Sequence, residues 1–422
     1  MKKEKLMAVI SAAVTLFTVM AALTVHADDS AALLPAENGE LNEDCVEYLQ
    51  GSGDDLPVLV SRRLFSAAGE DDDLLDRCIG NRWGYKDMLK RSNGEMRQRL
   101  YEELDRTCRT IWYTEGELTL SMTTSGKTIL FRINNEYGLS NDEVIESYYT
   151  FLYDNPIYYY IGSNIGLYSD GDFQVYSSPD VLAADTRAEY QELIKDYCES
   201  SAELVSRERT AYTNALAIYD RVIADMDYAY KSDGVSPSTD FKAHSVIGGI
   251  AEHEGVCDSY AKVLRLLYNY NGIDNVLVTG NGERGGHAWN MIRLDDGEYY
   301  SIDATWDDNM NDRSLFACGE SYFIGQGHTA DTPSQTGVSF LYELPGAPNE
   351  GFSLAKYFGD LALDMDADGD GGFTELDIRA MQNRLTDSEL YGEPRDIDLD
   401  GVTNNRDLKE MQMLLIRYTN GK

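Results

Sequence analysis

Gly255-Val256-Cys257-Asp258-Ser259-Tyr260-Ala261 opens an apolar helical run that continues through Val263, Leu264, Leu267 and Tyr268. Gly286-His287-Ala288-Trp289-Asn290 follows and reads as the start of a strand. Tyr299-Tyr300-Ser301-Ile302-Asp303-Ala304-Thr305-Trp306-Asp307 closes the stretch. A thiol, an imidazole and a carboxylate in this order suggest a nucleophile (Cys257), its base (His287) and the group that orients the base (Asp303). A cysteine in the first turn of a helix meets the positive end of the helix dipole and unpaired backbone N–H groups, and both favour the thiolate. Histidine exchanges a proton near neutrality, and a carboxylate on its far nitrogen fixes the tautomer.

Strand register tests this assignment. The His and Asp strands are joined by Asp295-Asp296-Gly297. A two-residue turn would place Asp303 opposite Asn290 and on the other face from His287. A three-residue loop with Gly297 at positive φ places Asp303 opposite Trp289, so that His287 and Asp303 become diagonal neighbours. That register also gathers Ala288, Ile292, Leu294, Tyr300, Ile302 and Ala304 on the opposite face, which makes a buried face. The three-residue loop is therefore predicted.

These residues resemble the transglutaminase-like superfamily of papain-type cysteine enzymes, whose three motif blocks are matched by G-V-C-x-x-Y-A, H-A-W-N and D-A-T-W-D in order. The resemblance spans about residues 210–310, with Ser259 standing where many relatives carry glycine. It implies a nucleophile helix packed on an antiparallel sheet. It also implies attack of Cys257 on a peptide or glutamine carbonyl, a thioester intermediate, and resolution by water or by a lysine amine. Hydrolysis is the expected outcome, because bacterial relatives are often peptidases and no amine-guiding feature is visible. Trp289 and Trp306 are expected to wall the site, and no cofactor is expected there. His244 and His253 have no partners at metal-ligand spacing and read as surface or supporting groups.

The chain has 422 residues and a formal net charge of −37, which argues against nucleic acid or an anionic membrane as a partner. Residues 1–27 read as a signal segment: Lys2, Lys3 and Lys5, an apolar run from Leu6 to Val25, and a cleavage site at Ala27. Secretion is expected, with membrane attachment only if this segment stays uncut. Six cysteines without a C-x-x-C pair suggest neither zinc nor a redox site. Disulfides cannot be assigned from the sequence, and Cys108 continues the apolar stripe of Met96, Leu100 and Leu104.

Residues 28–80 read as a weakly ordered acidic lead-in with one short helix. Residues 81–205 read as an α+β domain and 206–344 as the catalytic domain. In the former, a helical piece ending at Asn93-Gly94 precedes a helix from Glu95 to Ile111, and a hairpin turns at Ser125-Gly126. A helix capped at Ser140 or Asn141 ends before Pro156. Ile157–Ile161, containing Tyr158-Tyr159-Tyr160, is predicted as a strand with one buried face. A further strand pair surrounds Gly171, and a helical stretch from Asp185 reaches about Lys231 in two pieces. Residues 345–355, rich in Pro and Gly, read as a linker.

The remaining residues, 356–422, contain two copies of one loop. Asp366, Asp368, Asp370, Gly372, Thr374 and Asp377 recur as Asp396, Asp398, Asp400, Val402, Asn404 and Asp407. Oxygen ligands fall at loop positions 1, 3, 5, 9 and 12, with glycine at 6 and a backbone carbonyl expected at 7, which is calcium-loop spacing. A helical stripe follows each loop, and Tyr391-Gly392-Glu393-Pro394 blocks a helix entering the second. Duplicated loop-plus-helix units of this kind resemble a dockerin, the module that binds a cohesin on a scaffoldin. The resemblance implies two calcium ions and cohesin contacts at Glu375, Leu376, Asn405 and Arg406. These two pairs differ from each other, so one preferred binding orientation is expected.

The predicted molecule is α+β: a transglutaminase-like core preceded by an α+β domain and followed by a small all-α dockerin. It would be a secreted component of a cell-surface, cellulosome-like complex that acts on a protein or peptide. The competing expectation is an inactive module, displayed to bind polysaccharide or protein. A carbohydrate-degrading enzyme would need a pair of catalytic carboxylates, and the sequence nominates none.

Overall fold

The structure is a computed structural model describing residues 46–49, 70–283, 285–331, 342–397 and 402–421. The expected signal segment, Cys45, and the ligands Asp398 and Asp400 lie outside the described residues. Among those described, no helix is long and apolar enough to cross a membrane.

Strand β1 (Val46–Leu49) precedes helices α1 (Glu70–Cys78), α2 (Trp83–Met88) and α3 (Gly94–Trp112). Strands β2 (Ser121–Met122) and β3 (Thr128–Ile133) form the expected hairpin, with Gly126 at φ +87°. Helix α4 (Asn141–Asp154) starts at a capping box, in which the Ser140 hydroxyl accepts from Glu143 N and the Glu143 carboxylate accepts from Ser140 N. Strands β4 (Ile165–Tyr168) and β5 (Phe173–Ser177) flank Gly171, and the five strands form one sheet in the order β1-β4-β5-β3-β2. Helices α5 (Ala184–Ala202) and α6 (Ala211–Asp225) follow.

Three expectations need correction here. The lead-in 28–80 holds its one expected short helix, α1, whose Leu74, Leu75 and Cys78 are buried, but it also contributes an unexpected strand, β1, paired parallel to β4. Ile157–Ile161 is a run of turns, and all three of its tyrosines are buried. Each hydroxyl finds its own acceptor: Asp105 for Tyr158, the Arg187 carbonyl for Tyr159 and the Cys108 carbonyl for Tyr160. Turns send successive side chains in several directions, so no alternation is required. The helical stretch expected to reach Lys231 stops at Asp225, because β6 (Asp227–Tyr228) pairs in parallel with β7 (Glu254–Gly255).

Helix α7 (Cys257–Tyr270) is the centre of the molecule, and every residue in it is buried. It packs on β9 (Gly285–Arg293) of an antiparallel sheet ordered β10-β9-β8-β11, with β8 Asn275–Gly282, β10 Tyr299–Ile302 and β11 Thr329–Ala330. One buried cluster runs from Leu74 to Tyr342 across the expected 205/206 boundary, so the two expected regions share a single core. Arg265 of α7 joins them. Its guanidinium donates to Asp154 Oδ1 at 2.6 Å and to the carbonyl of Asn81 at 2.9 Å, with both charged side chains buried. Removing one member of such a pair leaves an uncompensated buried charge, at a cost of about 3–5 kcal/mol.

After β10 come α8 (Ala304–Met310) and α9 (Glu320–Gly325). The expected linker is bound to the core: Glu320 N donates to Pro348 O, Phe352 N donates to Ala317 O, and the Phe352 ring stacks on Tyr212. Helix α10 (Leu354–Met365) begins two residues earlier than the expected module and leads directly into the first acidic loop. Helix α11 (Glu375–Thr386) leaves that loop, a short α12 (Ser388–Tyr391) ends at Gly392, and α13 (Asn405–Gly421) closes the chain. Phe358, Leu361, Phe373, Met381, Met411 and Tyr418 give this region its own core.

Candidate active site

Three chain segments bring Cys257, His287 and Asp303 together. Cys257 is the first residue of α7, after the extended Val256, and it is 4% exposed. His287 lies on β9, one strand in from the sheet edge. The β9–β10 ladder pairs Tyr299 with Arg293 and Ile302 with Asn290, which continues to Asp303 opposite Trp289. Gly297 has φ +84° and closes the three-residue loop. This is the register predicted from the sequence, and the residues of its apolar face, Ala288 to Ala304, all join the core.

The ladder ends at Asp303 because Asp303 caps α8. Its Oδ1 accepts from the backbone N–H groups of Thr305 (3.0 Å) and Trp306 (3.2 Å). Its Oδ2 accepts from His287 Nε2 at 2.7 Å. That bond occupies Nε2 and leaves Nδ1 as the ring nitrogen for Cys257, whose side chain is hydrogen-bonded to His287. Burial opposes charge on His287, but Asp303 and Cys257 outweigh it and raise the imidazole to about 10. Burial likewise opposes charge on Asp303, yet the two histidines beside it hold the carboxyl far below the usual range.

The second of those histidines, His328, has no counterpart in the sequence reading. It precedes β11, and its Nε2 donates to the same Asp303 Oδ2 at 2.9 Å. Its ring is buried, stacked on Phe323 at 3.9 Å between centroids and 4.3 Å from Trp306. Its Nδ1 is buried without a hydrogen-bond partner among the described residues. A histidine 25 residues beyond Asp303, in a turn, carries no local motif. Only the pairing of β11 with β8 brings it to the site.

Of the two expected wall residues, Trp306 is half-buried with its ring 5.5 Å from that of His287. Trp289 is 3% exposed and packs on Phe323 and His328, so it supports the site from within rather than lining its surface. Gly280 allows this packing, since a Cβ there would stand 2.6 Å from the Trp289 ring and 2.2 Å from Thr329 O. His253 is exposed at φ +56°. His244 is buried, which selects the supporting reading over the surface one: its Nδ1 lies 3.0 Å from Asp258 Oδ1 and its Nε2 lies 2.9 Å from Ser238 O. Lys262 Nζ donates to Asp258 Oδ2 at 2.9 Å. Although burial resists it, Lys262 and His244 pull Asp258 down to about 2. This cluster anchors the first turn of α7 beside Cys257.

The acidic loops form a second constellation. Asp366, Asp368 and Asp370 converge with carboxylate oxygens within 4.8 Å of one another. Asp366 accepts from Gly369 N, Asp370 N and Gly371 N, while Asp377 accepts from Ala367 N, Asp368 N and Thr374 N. In the second loop Asp407 repeats this pattern, accepting from Ile397 N and Asn404 N. Three carboxylates converging within this distance could hold a hard cation that prefers oxygen.

Residues 199–304 match the transglutaminase-like superfamily, so the chain carries a domain of that superfamily, and Cys257, His287 and Asp303 lie within it. Among solved structures, a transglutaminase crystal structure is 14% identical over 32% of this chain and 41% of its own, with a TM-score of 0.26. The periplasmic domain of TgpA from Pseudomonas aeruginosa is 16% identical over 32% of this chain and 54% of its own, with a TM-score of 0.22. The chain thus spans about half or less of the length of either structure. No curated protein matches the sequence.

Proposed function

We propose that the transglutaminase-like domain of this chain is a cysteine peptidase or amidase. The observation that carries this reading is the 2.7 Å bond from His287 Nε2 to Asp303, on a ring whose other side meets the Cys257 thiol. The Cys257 thiolate attacks a peptide or glutamine carbonyl carbon, and the carbonyl π electrons move to oxygen. The C–N bond then breaks as the tetrahedral intermediate collapses to a thioester, and the proton held on His287 passes to the leaving amine. Water, losing a proton to His287, adds to the thioester carbonyl. The C–S bond breaks, releasing acid and regenerating the thiolate–imidazolium pair. Asp303 keeps His287 in the productive tautomer, and His328 holds the Asp303 oxygen that His287 uses.

The test is the pH dependence of iodoacetamide labelling at Cys257 in the native protein and in His287→Ala. Labelling that is fast well below the ordinary thiol range and lost in the variant supports the enzyme. Slow labelling that the variant does not change leaves a displayed binding module instead.

For the C-terminal region the proposal is a dockerin that holds two calcium ions and docks on a scaffoldin cohesin, on a chain secreted through residues 1–27. In support, Glu375, Leu376, Asn405 and Arg406 are all exposed at the starts of α11 and α13, and Leu376 is an apolar side chain left 51% exposed. Calcium-dependent retention on immobilised cohesins tests it. Absence of retention on a panel of cohesin types counts against the docking role.

A further inference from the structure

A cavity of about 980 Å³ lies at the C-terminal end of α7, where Tyr270 and Asn271 line it. Cys257 is at the other end of this 14-residue helix, about 20 Å away. Five arginines from four parts of the chain line the cavity: Arg77 on α1, Arg207 and Arg209 between α5 and α6, Arg293 at the end of β9, and Arg417 on α13. On a chain of net charge −37, such a gathering of guanidinium groups runs against the whole composition.

Their partners set these five apart from other arginines of the molecule. Arg82, Arg97, Arg109, Arg132 and Arg265 each sit within 3.3 Å of a carboxylate oxygen. In the cavity, Arg77 donates to Tyr270 O, Arg209 to Leu204 O, Arg293 to Gly297 O and Arg417 to Arg207 O. A carbonyl satisfies a donor without cancelling its charge. Two of the five pair loosely with a carboxylate, Arg293 with Asp274 at 3.7 Å and Arg417 with Glu410 at 3.8 Å.

Two of the carboxylates lining the cavity are committed elsewhere. Asp76 accepts from Arg109 at 2.9 Å, and Asp295 accepts from Ala211 N and Tyr212 N at the start of α6, while its charge also acts on Arg417. Five arginines against three lining carboxylates (Asp76, Asp274 and Asp295) leave the lining with an excess of positive charge, which an anion entering the cavity would offset.

From this we infer that the cavity between α1, α7, the α5–α6 loop and α13 binds a small organic anion carrying two or more carboxylate or phosphate groups. Guanidinium groups grip both kinds of oxyanion through paired N–H donors. The volume suits a small organic molecule better than a single inorganic ion. Because Arg417 belongs to the C-terminal region and the other four arginines to the core, the bound anion would also tie α13 to the core.

Isothermal titration of the full chain with tricarballylate and with glucose 1,6-bisphosphate tests the site, at fixed calcium and at low and high salt. The variant is Arg207→Gln, chosen because the Arg207 side chain makes no described contact whose loss would unfold the protein. The expected result is saturable one-to-one binding of at least one probe, weakened roughly ten-fold by the substitution and also by salt. Binding of tricarballylate alone assigns a carboxylate ligand, and binding of the bisphosphate alone assigns a phosphate ligand. No saturable binding of either probe, or an affinity unchanged in Arg207→Gln, overturns the proposal. Cys257 labelling should be unaffected by this substitution, which separates the cavity from the active site.

Discussion

His287 Nε2 and His328 Nε2 meet on one oxygen, Oδ2 of Asp303, at 2.7 and 2.9 Å, while the other oxygen of Asp303 caps α8. The carboxylate therefore holds the His287 imidazole, carries a second imidazole and starts a helix at once. Replacing it should disturb all three roles, which separate substitutions can distinguish.

Asp303→Asn removes the charge that raises His287. Burial then offsets more of what Cys257 still contributes, so the imidazole should fall from its raised value. In the native protein the His287–Asp303 pair contributes stability below the ordinary histidine value, and that contribution is lost as pH rises through about 10. In the variant the alkaline loss should vanish. Peptidase turnover should fall by about 10⁴, as expected when a triad carboxylate is neutralised. A pH series of thermal melts, together with single-turnover assays, checks both outcomes.

His328→Ala should leave a cavity beneath Phe323 and Trp306, at a cost of about 2–4 kcal/mol. His328→Gln can still donate to Asp303. If the role of His328 is to position that carboxylate, the Gln variant should recover the native pH profile of Cys257 labelling while the Ala variant does not. Identical profiles in the two variants would assign His328 to packing alone.

Alkylation should be selective. Burial raises the Cys78 and Cys108 thiols well above their ordinary value and raises Cys318 to about 12. Among the described cysteines, one equivalent of iodoacetamide at neutral pH should mark Cys257, and peptide mass mapping reads this directly. Modification of Cys78 or Cys108 in the folded protein would contradict the buried packing.

Asp307 accepts from the Tyr219 hydroxyl at 2.7 Å and from Leu315 N at 3.0 Å, and burial raises its carboxyl to about 7. A carboxyl raised by folding binds its proton more tightly in the native state, so stability declines as pH climbs from the ordinary carboxyl value through about 7. Asp307→Asn should flatten that decline and raise the melting temperature at pH 8 relative to the native chain.

Calcium should stabilise residues 354–421 without altering the remainder. An ion at about 100 times its dissociation constant adds about 2.7 kcal/mol to whatever binds it. Chelation should therefore lower an unfolding transition of the C-terminal helices, and Asp366→Ala should reproduce this with calcium present. Circular dichroism melts with and without chelator decide it.

Much of the candidate site's geometry was readable because strand chemistry is local. The alternation from Ala288 to Leu294, Gly297 in the loop, and the alternation from Tyr300 to Ala304 allow only one register that keeps the apolar side buried. The cap at Ser140 and the helix beginning at Cys257 followed from similarly local rules. Tyr158-Tyr159-Tyr160 misled because composition marks burial without marking backbone shape: three buried rings need three acceptors, and turns supply them better than a pleat. The strand Val46–Leu49 was hidden for a related reason. A short edge strand is stabilised by the neighbour it pairs with, here β4, more than by its own residues.

By itself, the sequence determined the order of thiol, imidazole and carboxylate, the register that unites the last two, and the repeated acidic loops, since each depends on spacing within one segment. Tertiary structure alone decided that His328 shares the Asp303 oxygen, that residues 74–342 form one core, and that five arginines converge at the end of α7. Those relationships join residues tens to hundreds of positions apart. They arise from packing of complete elements, a free energy summed over many contacts, and no local pattern of residue types encodes such a sum.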